Sequence, residues 1–390
     1  MTIDVIAAAR DLDDRIIAWR RDIHRHPELG MEEHRTTALI ADVLDGAGFE
    51  VDRPLETGVV AALDPEGEAE ETLAFRADID ALAMDEDNPD LFYRSQTPGV
   101  CHACGHDAHT AMLLGLAVLL GANRPALRRR IRLIFQPCEE RLPGGARALV
   151  EAGAADSVDM IFGLHVDPML PAGTFEARAG SMMAAADEVR ITVRGKGGHG
   201  AAPERAVDPI PAAAQLVLAL QTVVSRRIEA VEPVVLSICR IHGGSAFNVI
   251  PDEVELVGTV RTLSADLRGR MPGLIEETAR GVAAAAGAET DVTYLRGHPP
   301  PVNDTDAAAR LAGSIGRLWG PEPPLAVRPP KMGAEDFSCF LEAVPGAFGY
   351  LGVGNPDVGA VEPHHSPRFR IDESVLWMGP ALFADLAING

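Results

Sequence analysis

Ile131-Arg-Leu-Ile-Phe-Gln-Pro-Cys-Glu-Glu140 is the stretch on which the fold turns. Ile131 to Phe135 reads as a short strand. Gln136 and Pro137 end it, and the acids Glu139 and Glu140 follow at once. The same order occurs twice more. Leu73 to Ile79 is apolar enough for a buried strand and ends in Asp78 and Asp80; Ile161 to Leu164 is a third, ending in His165 and Asp167. Helical patterns separate the strands. Such alternation argues for an α/β fold with a mostly parallel sheet covered on both faces. Open α/β sheets place their ligands beyond the carboxyl ends of their strands. Strands that each end in metal-binding or proton-moving side chains therefore point to one functional edge.

Ahead of that stretch lies Pro98-Gly-Val-Cys-His-Ala-Cys-Gly-His-Asp-Ala-His-Thr110, directly before an apolar helical run, Ala111 to Leu120. Sulfur and imidazole donors crowded at a loop-to-helix junction suggest a transition-metal site. Cys101 and Cys104 also have the spacing of a redox pair, but that motif opens its helix without histidines threaded through it. A structural four-cysteine zinc site needs a second pair, and Cys138, Cys239 and Cys339 are scattered. The preferred ligands are Cys104 and His106, with a nearby helix N-terminus favouring the thiolate of Cys104. Cys101, His102 and His109 read as core or supporting residues.

Glu139 and Glu140 could be an ordinary solvated pair. After a buried strand and Pro137 that is less expected, and diverging neighbours suit two tasks, one binding metal and the other moving a proton. His165, His364 and His365 are as compatible with structural roles as with ligation.

The chain has 390 residues, 47% of them apolar, enough for two domains with large cores. A net charge of −22 argues against nucleic acid or an anionic membrane as partner. The first twenty residues carry acids rather than the basic and apolar regions of a signal peptide. Five cysteines without framework spacing fit a reducing cytoplasm.

Val5 to Asp22 and Met31 to Ala47 read as helices near the start. The texture changes near Asp187. Strands at Val189 to Val193, Val234 to Ile241, Val254 to Thr262 and Asp291 to Leu295 alternate with helices at Asp208 to Arg227 and Ala265 to Ala286. This β-α-β-β-α-β order is ferredoxin-like. The expected organisation is a discontinuous catalytic domain, 1–186 and 297–390, with an inserted α+β domain, 187–296. His298 to Pro301 is the return linker, and helix and loop resume from Asp304.

Taken together, these features resemble the metal-dependent amidohydrolases of the aminoacylase and carboxypeptidase peptidase clan, M20. The likeness is closest to the branch of hippurate hydrolases, N-acyl-amino-acid amidohydrolases and indole-acetyl-amino-acid hydrolases. The marks are His24-Arg-His-Pro-Glu-Leu29, Phe75-Arg-Ala-Asp-Ile-Asp-Ala-Leu82, His102-Ala-Cys-Gly-His-Asp-Ala-His109, Phe135-Gln-Pro-Cys-Glu-Glu140 and Gly163-Leu-His-Val166. They continue through Gly195-Lys-Gly-Gly-His-Gly200, Asn248-Val-Ile-Pro251, Gly258-Thr-Val-Arg-Thr262, Gly333-Ala-Glu-Asp-Phe337 and His365-Ser-Pro367.

The resemblance implies two divalent metal ions per subunit, with zinc, manganese, cobalt and nickel all compatible with mixed donors. Carried over by motif, the ligands are Cys104, His106, Glu140, His165 and His365, with His364 the competitor of His365. Glu139 is implied as general base, His199 as oxyanion stabiliser, and Asn248 and Arg261 as anchors for a substrate carboxylate. Asp78 matches an acid that orients a metal ligand. The small domain is implied to dimerise subunits, giving a homodimer or larger homo-oligomer. The implied reaction is hydrolysis of N-acyl or N-aroyl amino acids. A dipeptidase or carboxypeptidase with the same site is the alternative, and a non-catalytic metal- or ligand-binding relative is another. Two departures stand out. Arg76 occupies a position where many clan members carry a histidine ligand, and Arg-Leu-Pro-Gly-Gly-Ala after Glu140 is bulkier than the usual glycine-rich turn.

Overall fold

The computed structural model describes residues 3–320 and 328–390. The chain divides into two compact units, Met1–Met182 with Val302–Pro329 and Asp336–Gly390, and Met183–Pro301 with Pro330–Glu335. The second unit thus runs past the expected return at residue 297 and takes in a later segment. Backbone pairing explains that segment: Met183 bridges Lys331, and the Ala184 N–H donates to the Gly333 carbonyl at 2.9 Å. No described helix is long and apolar enough to cross a membrane.

The larger unit is a mixed α/β structure built on a seven-stranded sheet. Its spatial order is Glu50–Asp52, Val59–Leu63, Arg130–Gln136, Thr72–Asp78, Met160–Pro171, Gly346–Gly354, Phe175–Glu176. The four middle strands are parallel and the outer pairings antiparallel. Thr72–Asp78 is buried at every position, as a strand covered on both faces must be. Helix His106–Ala122 has apolar residues all round rather than on one stripe, so it needs cover on every side. It packs against the Thr72–Asp78 strand and against helices Asp13–Arg25 and Met378–Asn389.

Gly346–Gly354 lies where helix and loop were expected and is a strand, although glycine weakens a strand. Its glycines answer a steric demand instead. A Cβ at Gly346 would stand 2.3 Å from the Ile161 carbonyl oxygen, and one at Gly352 2.1 Å from that of Pro171. This strand lies beside Met160–Pro171, with Tyr350 opposite His165. His165 therefore sits inside a strand, not just past its end.

The N-terminal helix expected to run unbroken is two helices, Val5–Arg10 and Asp13–Arg25. The next begins at His34 rather than Met31. Met31 has φ +67, and the Glu28 carboxylate accepts the Arg35 and Thr36 N–H groups at 2.8 Å, capping the helix start.

The smaller unit holds a four-stranded antiparallel sheet in the order Val234–Gly243, Glu253–Thr262, Asp187–Arg194, Glu289–Arg296. Helices Pro209–Thr222 and Ala265–Ala285 complete the β-α-β-β-α-β chain order. Val189, Ile191, Val193, Leu256 and Val260 form its core with apolar residues of both helices.

Candidate metal centre

The cysteine–histidine loop ends at Gly105, the N-cap of helix His106–Ala122. Its φ of +89 and a Val166 methyl only 2.4 Å from any added Cβ restrict the position to glycine. This tight turn sets Cys104 and His106 on its two sides. The Arg130–Gln136 strand delivers Glu139 and Glu140 through a second turn, in which Cys138 has φ +53. His165 comes from the Met160–Pro171 strand, and His365, with φ +62, from the distant C-terminal loop.

These elements bring the five expected ligands together. Donor atoms of Cys104, His106 and His165 lie within 4.8 Å of one another, as do those of Cys104, Glu140 and His365, and of His106, Glu139 and Glu140. Cys104 is common to the first two groups. Its Sγ is 3.6 Å from His165 Nε2, and His365 Nε2 is 3.1 Å from Glu140 Oε1. His364 points elsewhere, donating from Nε2 to the Val166 carbonyl at 2.9 Å.

The hydrogen bonds assign the ring nitrogens. His165 Nδ1 donates to the Val166 carbonyl at 2.7 Å, which leaves the Nε2 lone pair facing Cys104. His106 Nδ1 donates to Asp80, at 3.0 Å to the carbonyl and 3.1 Å to Oδ1. Its Nε2 is buried with no hydrogen-bond partner. A buried ring nitrogen without a partner, ringed by thiol and carboxylate donors, fits a divalent metal ion that takes the place of its proton. His109 has neither nitrogen to spare: Nδ1 donates to Asp78 Oδ1 at 2.5 Å, and Nε2 accepts the Val166 N–H at 2.9 Å. Its place beside His165, ring centroids 4.3 Å apart, is supporting.

Sequence reasoning pointed to Asp78 as the orienting acid. In the structure Asp78 holds His109 and Arg76, and the acid that orients His106 is Asp80. Asp80 also accepts the Glu140 N–H, through Oδ2 at 3.0 Å, so one carboxylate fixes two candidate ligands. The two acids are two residues apart on one strand end, and only the fold tells them apart. Arg76, the departure from the clan pattern, is buried in bonds to Gln136, Asp78 and Asp336.

The local field favours a cation. Burial lowers the His106 imidazolium, but Asp78, Asp80 and Glu140 outweigh it and push the ring up to about 10. The Cys104 thiol is raised well above its ordinary value by burial, then by Glu140, Glu139 and Asp78. The helix N-terminus expected to favour its thiolate is overcome. A nearby divalent cation reverses that balance by favouring the charged ligand. Burial, then His109 and His364, keeps His165 neutral, the form that ligates.

His199, Asn248 and Arg261 belong to the smaller unit. His199 is exposed and pairs with Val249 across two short strands, and the Gly200 N–H donates to the Asn248 carbonyl at 2.9 Å, so these two segments adjoin. Arg261 is half-buried on Glu253–Thr262, on the sheet face opposite the buried Leu256 and Val260. Burial lowers its guanidinium pKa.

Residues 74–389 match the family described as Peptidase family M20/M25/M40. The chain is 40% identical over 387 residues to thermostable carboxypeptidase 1 of Saccharolobus solfataricus, covering 97% of this chain and 96% of that one. It is also 40% identical over 376 residues to an N-acetylcysteine deacetylase of Bacillus subtilis, covering 96% of each. A crystal structure of a Bacillus subtilis dinuclear metal-binding peptidase of the M20 family superposes with a TM-score of 0.86 at 36% identity, over 97% of this chain and 98% of that one. With these likenesses and a donor cluster suited to divalent metal, the chain belongs to peptidase family M20 and is a metal-dependent hydrolase acting on amide bonds.

Proposed function

We propose that this hydrolase cleaves the amide bond between an acyl group and an amino acid. The observation that supports this most is the convergence of Cys104, His106, His165, Glu140 and His365 beside the carboxylate of Glu139. Similarity to an enzyme named for removing the acyl group of N-acetylcysteine points the same way.

In this reading Cys104, His106, His165, Glu140 and His365 would hold two divalent ions. When bound, such ions supply Lewis acidity toward the carbonyl and lower the pKa of the attacking water. Glu139 takes the proton from that water as its oxygen attacks the carbonyl carbon. It then returns the proton to the leaving amine as the C–N bond breaks. Asp80 keeps His106 in the tautomer with a free Nε2 lone pair. We assign the smaller unit the part of lid and dimerisation domain, in a homodimer or larger assembly. His199 would stabilise the oxyanion, in a neighbouring subunit's site. Asn248 and Arg261 would grip the carboxylate next to the scissile bond, Arg261 in a two-pronged way.

A second reading, peptide hydrolysis at the same centre, is favoured by the likeness to the thermostable carboxypeptidase. A purely binding relative is disfavoured by Glu139, since binding alone needs no base. A panel of N-acyl amino acids, their carboxamides and dipeptides tests the proposal. Turnover should be highest on N-acyl amino acids, and Arg261→Ala should raise KM for those but not for the carboxamides. Preferential dipeptide cleavage would transfer the assignment to the peptidase reading.

A further inference from the structure

His24-Arg-His-Pro-Glu-Leu29 and the acids after it have no part in the chemistry above. In the fold Leu29, Gly30 and Glu33 form the support behind the Glu139–Glu140 turn. Leu29 bridges Ala81, and the Ala81 N–H donates to the Glu28 carbonyl at 2.9 Å, which fastens this stretch beside Asp80. Gly30 lies so close to Cys138 that a Cβ there would stand 2.8 Å from its Sγ and 2.9 Å from its Cα. The Arg141 guanidinium donates to the Gly30 carbonyl. Glu33 is fully buried, and its Oε1 accepts the Cys138 N–H at 2.9 Å.

Cys138 needs such holding. A φ of +53 is strained for a residue with a Cβ, and persists only where the surroundings enforce it. Its carbonyl is held by the Gly145 N–H at 2.8 Å and its N–H by Glu33. Two residues on, Asp80 takes the Glu140 N–H. Two buried carboxylates thus pin the backbone on either side of Glu139. The Glu33 carboxyl is raised to about 7, by burial first; the Thr57 hydroxyl and backbone N–H groups oppose the rise, and the Asp80 charge adds to it. A buried acid carries a desolvation cost, which a hydrogen bond to a strained turn gives a reason to bear.

We propose that Glu33 is a positioning residue for hydrolysis: by holding the Cys138 N–H it fixes the left-handed turn that aims Glu139 at the reacting carbonyl and Glu140 at the metal. This rests on the roles proposed above for Glu139 and Glu140. Glu33 itself touches neither substrate nor metal.

The test compares cobalt-loaded wild type, Glu33→Gln and Glu33→Leu by kinetics and by the visible spectrum of the bound Co²⁺. Glutamine keeps an acceptor oxygen and should hold kcat within about 3-fold of wild type with the same spectrum. Leucine removes the acceptor. It should cost about 10–100-fold in kcat with little change in KM, and shift the spectrum as Glu140 leaves its place. If Glu33→Leu does not fold, Gly30→Ala presses a methyl onto Cys138 and should give the same split. A folded Glu33→Leu or Gly30→Ala protein with wild-type kcat and an unaltered cobalt spectrum overturns the proposal. So does lost stability with both unchanged, which would make Glu33 packing alone. A wild type inactive on every N-acyl amino acid removes the substrate reading, and the spectrum then decides the role of Glu33 on its own.

Discussion

His106 and Asp107 are neighbours in the first turn of one helix, and their side chains enter opposite electrostatic settings. Asp107 Oδ2 accepts from Arg20 Nε at 2.7 Å and from His24 Nδ1 at 2.8 Å. Arg20 goes on to the Tyr93 hydroxyl at 3.0 Å and Glu373 at 2.9 Å. That cluster is buried, and the chain supplies its cation, so Asp107 is held well below the usual carboxylate range even though burial raises it. His106 faces Asp78, Asp80 and Glu140 with an Nε2 that has no hydrogen-bond partner, together with the thiol of Cys104. A buried charge needs a counter-charge close by. Beside Asp107 an arginine provides it, as structure; beside His106 the donors fit a metal ion, which can also do chemistry. Residue type alone does not separate the two.

The strongest way to break this contrast is to withdraw the metal. Exhaustive chelation should abolish hydrolysis and leave the far-ultraviolet circular dichroism intact, because the core and the Arg20 cluster do not depend on the ion. A chelated protein, shown metal-free by elemental analysis, that still turns over would end the scheme. Next in size is Glu139→Gln. It should lower kcat by about 10²–10⁴-fold while the metal content stays at the wild-type level, since Cys104, His106, His165, Glu140 and His365 remain. Normal turnover would remove Glu139 as the base.

The other half of the contrast answers to Arg20→Leu. Removing one partner of a buried pair leaves its acid uncompensated and typically costs about 3–5 kcal/mol. Urea denaturation of the metal-free protein should register that loss, with metal stoichiometry at saturating metal unchanged. A variant that loses metal and keeps its stability would mean that the two clusters act as one.

How much of this was legible beforehand depends on what each residue does. The alternation of strands and helices was readable because Thr72–Asp78 and Arg130–Gln136 are short, mostly apolar stretches, each interrupted inside by a single arginine, Arg76 and Arg132. Gly346–Gly354 was not, because its glycines serve close approach to Ile161 and Pro171, a demand that exists only once the sheet is assembled. Of the candidate ligands, Cys104 and His106 were readable from their spacing, and Glu140, His165 and His365 only through the resemblance. The choice of His365 over His364 needed the Val166 carbonyl that occupies His364. Asp80 was passed over for Asp78 because orientation of a histidine is a three-dimensional property. Glu33 had no signal at all, lying 105 residues from the peptide it holds.

Asp80 sharpens the comparison from the metal side. Asp80→Ala removes the carboxylate that accepts the Glu140 N–H and one of the two acceptors of the His106 Nδ1–H, leaving only the Asp80 carbonyl at 3.0 Å. Loss of such a supporting carboxylate costs about 10–100-fold in metal affinity. Competition with a metal-sensitive dye would measure it. An unchanged affinity would mean that the backbone carbonyl alone keeps His106 in its tautomer.

The smallest effect tests how the Arg20 cluster is charged. Burial lowers the His24 imidazolium and Arg20 lowers it further, but Asp107 and Glu86 outweigh both, and the ring is raised above its ordinary value. A group whose folded pKa is raised contributes stability that is complete below its unfolded value, about 6.5, and is lost as pH rises through the folded value. The stability gap between metal-free wild type and metal-free His24→Gln should therefore be widest below that pH and should narrow as the solution becomes alkaline. Taking the difference cancels the titration of groups that both proteins share. If the gap stayed constant or widened with pH, His24 would be neutral in the folded protein, and Arg20 would be the sole cation holding Asp107.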